Sequence, residues 1–315
     1  MHPRVPERLV NDAPSAFGFQ VRSRPLLRFL RAGGGVEALE IVPAREPRKR
    51  PDVAPLAEWT LAGPDREVRA TLYRVDQTFE FWVTDAGAYR VDPEAGRIEI
   101  PCCDDEIVRE QRLWGVPTTL CYMHRGDLSL HAAAVEVAGG AVVLAAPGRH
   151  GKTTLALAFH QHGCRVLSED LTCCRVRLSP EVLPGPALLR LRSDVYDGHP
   201  PPGTHLAMTR PDRVYLGLDD ERKGSSAPVP IKAIVFLRDS ASDVKLERAP
   251  AHVALADLWA LNFRLQTDDG RARSFRQLTR LTSAVPAWNL HRPLRLAMLE
   301  RTVARLLEQF DRDRG

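Results

Sequence analysis

One nine-residue segment, residues 146–154, constrains this chain more than any other part of its sequence. It follows six apolar residues, Gly140–Ala145, which are typical of a buried parallel strand. It precedes a run rich in helix formers that ends at Gly163. A strand, a glycine-containing loop and a helix in this order can hold a phosphate, because consecutive backbone N–H groups and the helix N-terminus both attract anions. The segment therefore predicts a phosphate-binding loop.

The polar residues of this loop have expected tasks. Lys152 brings a full positive charge to the outer phosphates of a nucleotide, and the hydroxyl of Thr153 is a ligand for magnesium. Ala146 stands where the common pattern G-x-x-x-x-G-K-[ST] begins with glycine, and its methyl group is tolerated if φ stays negative. A chance Gly-Lys-Thr at a helix start is the alternative, and the preceding strand argues against it. The residues expected to contact the nucleotide are Gly148, Arg149, His150, Gly151, Lys152, Thr153 and Thr154.

Composition and charge exclude several classes of protein. The chain has 315 residues, enough for two domains or one large domain, and 44% of them are hydrophobic. No run approaches the roughly twenty apolar residues of a membrane-spanning helix, and Met1–Glu7 lacks the apolar core of a signal peptide. We therefore expect a cytoplasmic protein without a membrane partner. A net charge of +4, spread along the chain, is too small to indicate nucleic acid.

The sequence pattern changes close to residue 127. Before it, a short helix is predicted for residues 25–31, and short alternating segments from Glu67 to Ile100 predict antiparallel strands. A helix broken near Gly115 is expected from Asp104 to Met123. After it, apolar strands and helices alternate, and helical stripes fill the C-terminal part of the chain. One strand is predicted from Leu128 to Val137, and residues 244–248 are expected to pair with the buried strand at residues 231–237. We predict an α/β fold with a β-rich N-terminal domain, residues 1–126, and a catalytic domain, residues 127–315.

Polar residues near the loop offer chemistry beyond phosphate binding. Glu169 and Asp170 end the strand that follows the loop's helix, and ligand sites of open α/β sheets form at such strand ends. Two acids there can hold magnesium or accept a proton from an incoming hydroxyl; a solvated strand end is the alternative. His131, in an apolar strand upstream, approaches the outer phosphate, hydrogen-bonds an acid, or is simply a core residue. The arginines considered for stabilising a migrating phosphoryl group, against a solvated surface, are Arg264, Arg271, Arg273, Arg276 and Arg280.

The order of these motifs resembles a known family. Leu130-His131-Ala132, then Gly151-Lys152-Thr153, Gly163 and Leu167-Ser168-Glu169-Asp170 resemble the catalytic domain of HPr kinase/phosphorylase. The resemblance is greatest to shorter related kinases, including those encoded beside ribosomally made peptides such as lasso peptides. It covers residues 128–195. It implies an HPr kinase-like P-loop catalytic domain that binds ATP and magnesium (Mg2+) and phosphorylates a serine hydroxyl on a protein or peptide.

The resemblance also implies roles for individual residues. Glu169 takes the place of the family's base, which is usually an aspartate, and Asp170 matches the second acid, which serves magnesium together with Thr153. His131 matches a histidine near the transferred phosphate. The family's glutamate-containing segment, which supplies another magnesium ligand, has no counterpart, and Leu188–Leu191 occupies its approximate place. Reverse phosphorolysis is therefore not expected.

We expect an ATP-dependent serine kinase whose catalytic residues are Glu169, Asp170, His131 and Lys152. The expected acceptor is a peptide or a small carrier protein, and related kinases assemble into oligomers, which implies a homo-oligomer. Two alternatives stay open. One is a nucleotide-binding scaffold or sensor without transfer activity, for which Ala146 and Glu169 are the arguments. The other is a kinase of a small metabolite.

Overall fold

The structure is a computed structural model that describes residues 13–62, 67–219, 224–241 and 243–311. The prediction made for Met1–Glu7 lies outside these residues. The described chain is a mixed α/β structure with three sheets. Among its helices, none combines the length and the hydrophobicity that crossing a bilayer requires.

The first sheet contains nine strands, all of them before residue 101. They are β1 (Pro14–Ala16), β2 (Phe19–Ser23), β3 (Arg31–Ala32), β4 (Glu37–Pro43), β5 (Ala57–Ala62), β6 (Glu67–Val75), β7 (Thr78–Val83), β8 (Gly87–Asp92) and β9 (Arg97–Ile100). Their order in space is β3-β1-β2-β4-β9-β8-β7-β6-β5. Strands β6 to β9 pair antiparallel with their neighbours in the chain, as the alternating pattern predicted.

Two helices connect this sheet to the rest of the protein. Helix α1 (Glu106–Leu113) begins at Asp105, whose carboxylate accepts a hydrogen bond from the backbone N–H of Val108 at 2.9 Å. Helix α2 (Val116–His124) starts after Gly115, so the predicted break is confirmed. Helix α2 contacts both β8 and the first strand of the second sheet. The helices thus fill the space between the two sheets.

Thirteen further strands follow. They are β10 (Leu128–Leu130), β11 (Ala132–Val137), β12 (Gly140–Ala145), β13 (Arg165–Ser168), β14 (Thr172–Val176), β15 (Pro180–Leu183), β16 (Leu188–Arg192), β17 (Thr204–Thr209), β18 (Arg213–Leu218), β19 (Val229–Asp239), β20 (Lys245–Arg248), β21 (Asn262–Phe263) and β22 (Ala287–Arg292). Strands β16, β18 and β17 form a small third sheet, and the others form the second. The division into domains at residue 127 stays a prediction.

Strand β12 is central in the second sheet. It pairs antiparallel with β11 and parallel with β19, and β19 pairs parallel with β22. The β11–β12 hairpin turns at Ala138 and Gly139, which have φ of 49° and 75°, the left-handed values a tight hairpin needs. Because β12, β19 and β22 run in the same direction, their carboxyl ends meet at one edge of the sheet.

The predicted strand from Leu128 to Val137 is divided at His131. Strand β10 pairs with β14 and β21, whereas β11 pairs with β12 and β13, so the chain crosses from one part of the sheet to another at this residue. The backbone N–H of His131 donates to the carbonyl of Leu261 at 2.7 Å. The crossing places the histidine at the strand-end edge beside the loop.

Four helices complete the second half: α3 (Lys152–Gln161), α4 (Ala251–Leu261), α5 (Asp268–Ala284) and α6 (Leu299–Asp311). Helix α3 packs its fully buried Leu155 and Phe159 against β11 and β13. Two expectations were wrong. Residues 25–31 do not form a helix, and β20 pairs with β22 rather than with β19.

Residues of the first sheet reach deep into the second half. Arg31 is only 1% exposed, and its guanidinium donates to the carbonyls of Gly185, at 2.6 Å, and Val166, at 2.8 Å. Nearby, the backbone of Phe17 bonds to that of Pro184 at 2.7 Å. Burial of a charged group is tolerated because carbonyl oxygens receive its hydrogen bonds.

Candidate functional site

The loop between β12 and α3 is the segment predicted to bind phosphate, and its backbone has an unusual conformation. Arg149 and Gly151 have φ of 65° and 72°, so two residues lie in the left-handed region. A Cβ on Gly151 would lie 2.8 Å from Nη2 of Arg292, so this position requires glycine. Ala146 is 2% exposed and is not among the residues with positive φ, so its methyl group fits the loop. The side chain of His150 turns to the carbonyl of Gly148, 2.9 Å from Nδ1.

Lys152 is held over this loop. Its Nζ lies 2.9 Å from the carbonyl of Ala146, 3.0 Å from that of Pro147 and 3.0 Å from Nε2 of His131. The side chain is buried, and burial lowers its pKa. All three ammonium protons therefore have acceptors at the mouth of the loop.

His131 links Lys152 to Asp170. Because an ammonium group only donates, Nε2 of His131 accepts from Lys152 and the imidazole proton is on Nδ1. Nδ1 faces Oδ1 of Asp170 at 3.3 Å. Burial lowers the pKa of His131, so the neutral ring with this one tautomer is the expected form at neutral pH.

Glu169 and Asp170 occupy different environments although they are adjacent. Oε1 of Glu169 accepts from the hydroxyl of Thr153 at 2.5 Å, and Oε2 accepts from Nε of Arg190 at 3.1 Å. Its side chain is only 7% exposed, and burial raises its pKa. Oδ2 of Asp170 lies 2.5 Å from Nη2 of Arg190, and this side chain is 36% exposed. Burial alone would raise the pKa of Asp170, but the charge of Arg190, with smaller effects of His131 and Lys152, lowers it well below its usual range.

Asp170 also has an unusual backbone conformation. Its φ is 65°, in the left-handed region that residues with a Cβ adopt only at a cost. The carboxylates of Glu169 and Asp170 contact different nitrogens of Arg190, Nε and Nη2 respectively. The polar contacts form a continuous set, which we call the polar ring: Lys152, His131, Asp170, Arg190, Glu169 and Thr153.

Arg190, from β16, is a site residue that the sequence did not single out. It joins the two carboxylates of the polar ring and lines the same cavity as the loop. An arginine within the apolar run Leu188–Leu191 was an available signal, since a charged residue on an otherwise buried strand needs a partner. Its partners could not be read from the sequence, because they come from a different sheet.

Arg292, the last residue of β22, is the second unexpected arginine. It is 4% exposed, and its Nη2 donates to the carbonyl of His150 at 2.7 Å. Its Nε is buried and has no hydrogen-bond partner among the described residues. No carboxylate of the described residues forms an ion pair with Arg292. Burial lowers its pKa. The charge of Asp239, opposite Arg292 on β19, acts on this guanidinium without forming an ion pair with it. A buried guanidinium beside the loop, with no carboxylate of the described residues in ion-pair contact, is suited to an anionic ligand.

The arginines considered from the C-terminal sequence do not line the cavity, which agrees with the solvated alternative. Arg264 packs on the ring of Trp259, 4.0 Å from its centroid, and donates to that residue's carbonyl. Arg271 pairs with Asp268, and Arg273 donates to the carbonyl of Met123. The four arginines other than Arg264 lie on the exposed surface of α5.

A cavity of about 1270 Å³ contains the polar ring. It extends from the first sheet across the phosphate loop to the segment after β22. Leu294 and Leu296, 46% and 55% exposed, line its end beside Arg292. Aromatic residues of both sheets line the other end.

The oxygen ligands available fit magnesium bound together with a nucleotide. No group of three or more histidine, cysteine or acidic residues suited to a metal ion occurs in the described part of the chain. Magnesium, however, commonly takes one or two protein oxygens and completes its shell with phosphate and water. Thr153 and Glu169 offer such a pair of oxygens, 2.5 Å apart. The magnesium ligands predicted from the sequence are Thr153 and Asp170, and that assignment stays a prediction; the hydroxyl of Thr153 donates here to Glu169.

Comparison with known proteins found a distant structural similarity. The Hpr(Ser) kinase/phosphatase from Coxiella burnetii superposes with a TM-score of 0.30 and 10% sequence identity, over 58% of this chain and 98% of that one. A scan against protein-family models and a search of curated proteins found no match. A similarity of this degree says nothing about activity, which the contacts of the site address instead.

Proposed function

We propose that this protein is an ATP-dependent kinase that transfers a phosphoryl group to the serine hydroxyl of a peptide or a small carrier protein. The observation that carries the proposal is the polar ring around Lys152. Its contacts, of 2.5–3.3 Å, link the ammonium of Lys152, expected to bind phosphate, to the accessible carboxylate of Asp170. They also include the hydroxyl–carboxylate pair of Thr153 and Glu169. Phosphoryl transfer requires little more of a protein than such positioning and charge neutralisation.

The nucleotide is expected to lie along the loop. The backbone N–H groups at the start of α3 and the ammonium of Lys152 would receive the outer phosphates. Arg292 would add a buried positive charge beside the loop, where its Nη2 already bonds to the backbone of His150. The exposed Leu294 and Leu296 at this end of the cavity offer an apolar surface for the base.

We assign the two acids the reverse of the roles predicted from sequence. Thr153 and Glu169 would hold magnesium, which supplies charge neutralisation at the phosphate oxygens when it is bound. Asp170 is the base in this assignment, because its carboxylate is the more exposed of the two and faces His131.

The transfer step then uses residues of the polar ring. The serine oxygen attacks the terminal phosphorus of ATP, the bond from that phosphorus to ADP breaks, and the serine proton moves to Asp170. A low pKa at Asp170 is acceptable, because the loose transition state of phosphoryl transfer needs little proton removal. His131 keeps Asp170 oriented through Nδ1, and the charge of Arg190 offsets the repulsion between the two carboxylates.

The experiment uses the purified full chain with γ-labelled ATP, magnesium, serine peptides and small carrier proteins. Wild-type protein should label a serine. Asp170→Asn should lower transfer by roughly 10²-fold, the low end of the contribution of a general base, because the loose transition state needs little proton removal. ATP affinity should change little. Glu169→Gln should instead raise the magnesium concentration that half-maximal transfer requires. Bound ATP without label on any acceptor would refute the kinase proposal. Loss of transfer in Glu169→Gln at saturating magnesium, with Asp170→Asn active, would refute the assignment of the two acids.

A further inference from the structure

The cavity is larger than a nucleotide requires. Pockets that enclose one small ligand typically measure roughly 300–1,000 Å³, whereas this cavity measures about 1270 Å³. The loop, Arg292 and the two exposed leucines account for the end where we propose the nucleotide. The space at the opposite end is therefore available for a second molecule.

Three aromatic residues line that opposite end, and we call them the aromatic wall: Trp59 of β5, Phe81 of β7 and Phe263 of β21. The ring centroid of Trp59 lies 6.4 Å from that of Phe81 and 6.0 Å from that of Phe263. Trp59 and Phe263 are partly exposed, and Phe81 is buried behind them. The wall thus offers a rigid apolar surface that combines both large sheets.

The strand that carries Phe263 is attached to the strand that leads into His131. Phe263 lies opposite Ser129 and Asn262 opposite Leu130, and the carbonyl of Leu261 accepts the N–H of His131. Residues two positions apart on paired strands are within reach of a single bound side chain. The aromatic wall therefore adjoins the His131–Asp170 side of the polar ring, where the proposed acceptor serine must enter.

The surroundings of the wall favour an apolar ligand. Val68 and Val116 are partly exposed neighbours in the same part of the cavity. The charges there neutralise each other, since Arg112 contacts Asp85 at 3.1 Å and 2.6 Å. An incoming charged side chain would lose water there without gaining an ion pair.

We infer that the aromatic wall binds a large apolar side chain of the acceptor peptide, close in sequence to the serine that receives the phosphoryl group. The position of that serine rests on the proposed function. Binding of the side chain does not require transfer and can be measured separately. Acceptor choice would then be governed by a residue beside the serine rather than by the serine alone.

The test measures binding by fluorescence anisotropy. Labelled serine peptides that differ only in the neighbouring residue, which is Phe, Leu, Gly or Asp, are titrated into the full chain with magnesium and a non-transferable ATP analogue. We expect the Phe and Leu peptides to bind roughly ten- to a hundredfold more tightly than the others, the gain from burying one such side chain.

Variants of the wall provide the decisive comparison. Trp59→Ala and Phe263→Ala should remove the preference for Phe and Leu peptides, and Trp59→Phe should retain it. The matched control is Trp82→Ala, because Trp82 lies on β7 outside the cavity, with its Nε1 bonded to Glu80. Circular dichroism checks that each variant is folded. If Trp59→Ala is not folded, Phe263→Ala and Trp59→Phe give the result.

The outcomes separate this inference from the proposed function. Equal binding of all peptides, no peptide binding, or an unchanged preference in a folded Phe263→Ala would overturn the inference. ATP binding, titrated in parallel, tests the nucleotide site by itself. A wild-type chain that binds ATP but no peptide would disprove the apolar acceptor site and leave transfer to a small molecule. A chain that binds apolar peptides but not ATP would disprove the kinase proposal alone.

Discussion

Removing the guanidinium of Arg190 tests the electrostatics of the polar ring. Arg190→Met leaves Glu169 and Asp170 side by side without the cation that contacts them at 3.1 Å and 2.5 Å. Loss of one partner from a buried ion pair costs about 3–5 kcal/mol. The lower end of this range of costs applies here, because Asp170 is 36% exposed and water screens its charge. We expect the free energy of unfolding to fall by about 3 kcal/mol near neutral pH.

This loss should depend on pH in a defined direction. In the wild type the pKa of Asp170 is lowered, so its stabilising contribution is complete above the ordinary carboxylate pKa and is lost as pH falls through the lower, folded-state pKa. Without Arg190, burial and mutual repulsion raise the pKa of both acids, and protonation in the folded state relieves the repulsion as pH falls. The difference between wild type and variant should therefore be larger at about pH 8 than at about pH 5.

Urea unfolding followed by tryptophan fluorescence measures both quantities. Arg192→Met is the matched control, because Arg192 lies on the same strand but is 46% exposed and pairs with Asp194 at the surface. This control should change the free energy of unfolding by less than about 0.5 kcal/mol. Equal losses in the two variants, or a loss for Arg190→Met that does not change with pH, would refute the reasoning.

Three further predictions concern single residues of the site. Ala146→Gly should leave ATP affinity within about twofold and lower the free energy of unfolding by about 0.4–1 kcal/mol, because the alanine already fits and glycine gains freedom when unfolded. Arg292→Gln should raise the dissociation constant for ATP at least tenfold, as calorimetry can measure, because a charge-assisted bond is worth about 1.5–3 kcal/mol. Transfer should decline in acid only below the ordinary histidine pKa of roughly 6.5, because burial lowers the pKa of His131, and a pH–rate profile can show this.

Each of these predictions has a result that contradicts it. Markedly tighter ATP binding by Ala146→Gly would mean that the methyl group obstructs the loop. Arg295, which is exposed and lines the same cavity, provides the control for Arg292. An equal effect of Arg295→Gln would indicate general electrostatic attraction rather than a specific contact. For His131, an acid limb at or above the ordinary value, or one that persists in His131→Gln, would disprove the assignment.

The elements that could be predicted from the sequence are those with local signals. Strand β12 has the expected bounds, because a continuous apolar run between glycines identifies a buried strand. The helix predicted for residues 25–31 failed because tertiary contacts override its propensity. There Glu110 of α1 accepts hydrogen bonds from the backbone N–H groups of Arg28 and Phe29, at 2.7 Å and 3.0 Å. Those contacts hold the segment in a bent, non-helical conformation.

The residues of the candidate site also fall into two groups, those with a local sequence signal and those without one. Lys152, Thr153, His131, Glu169 and Asp170 were named from the sequence, and the structure brings all five together. They could be found because a loop motif and strand ends are local patterns. Arg190 and Arg292 could not be placed in the site from the sequence, because each reaches it through a strand pairing that no local pattern encodes. One comes from the third sheet, and the other from β22, a strand that was not predicted.

The burial of Arg31 has a consequence for the order of synthesis. Its acceptors, the carbonyls of Val166 and Gly185, leave the ribosome more than a hundred residues after Arg31 itself. Until then the guanidinium has neither of these oxygens, and the first sheet cannot bury it in this way. The N-terminal part therefore completes its folding only after the phosphate loop has been made. A fragment ending at residue 126 should be a poor target for expression, and exchanging this part between related chains should require exchanging the residues around Gly185 as well.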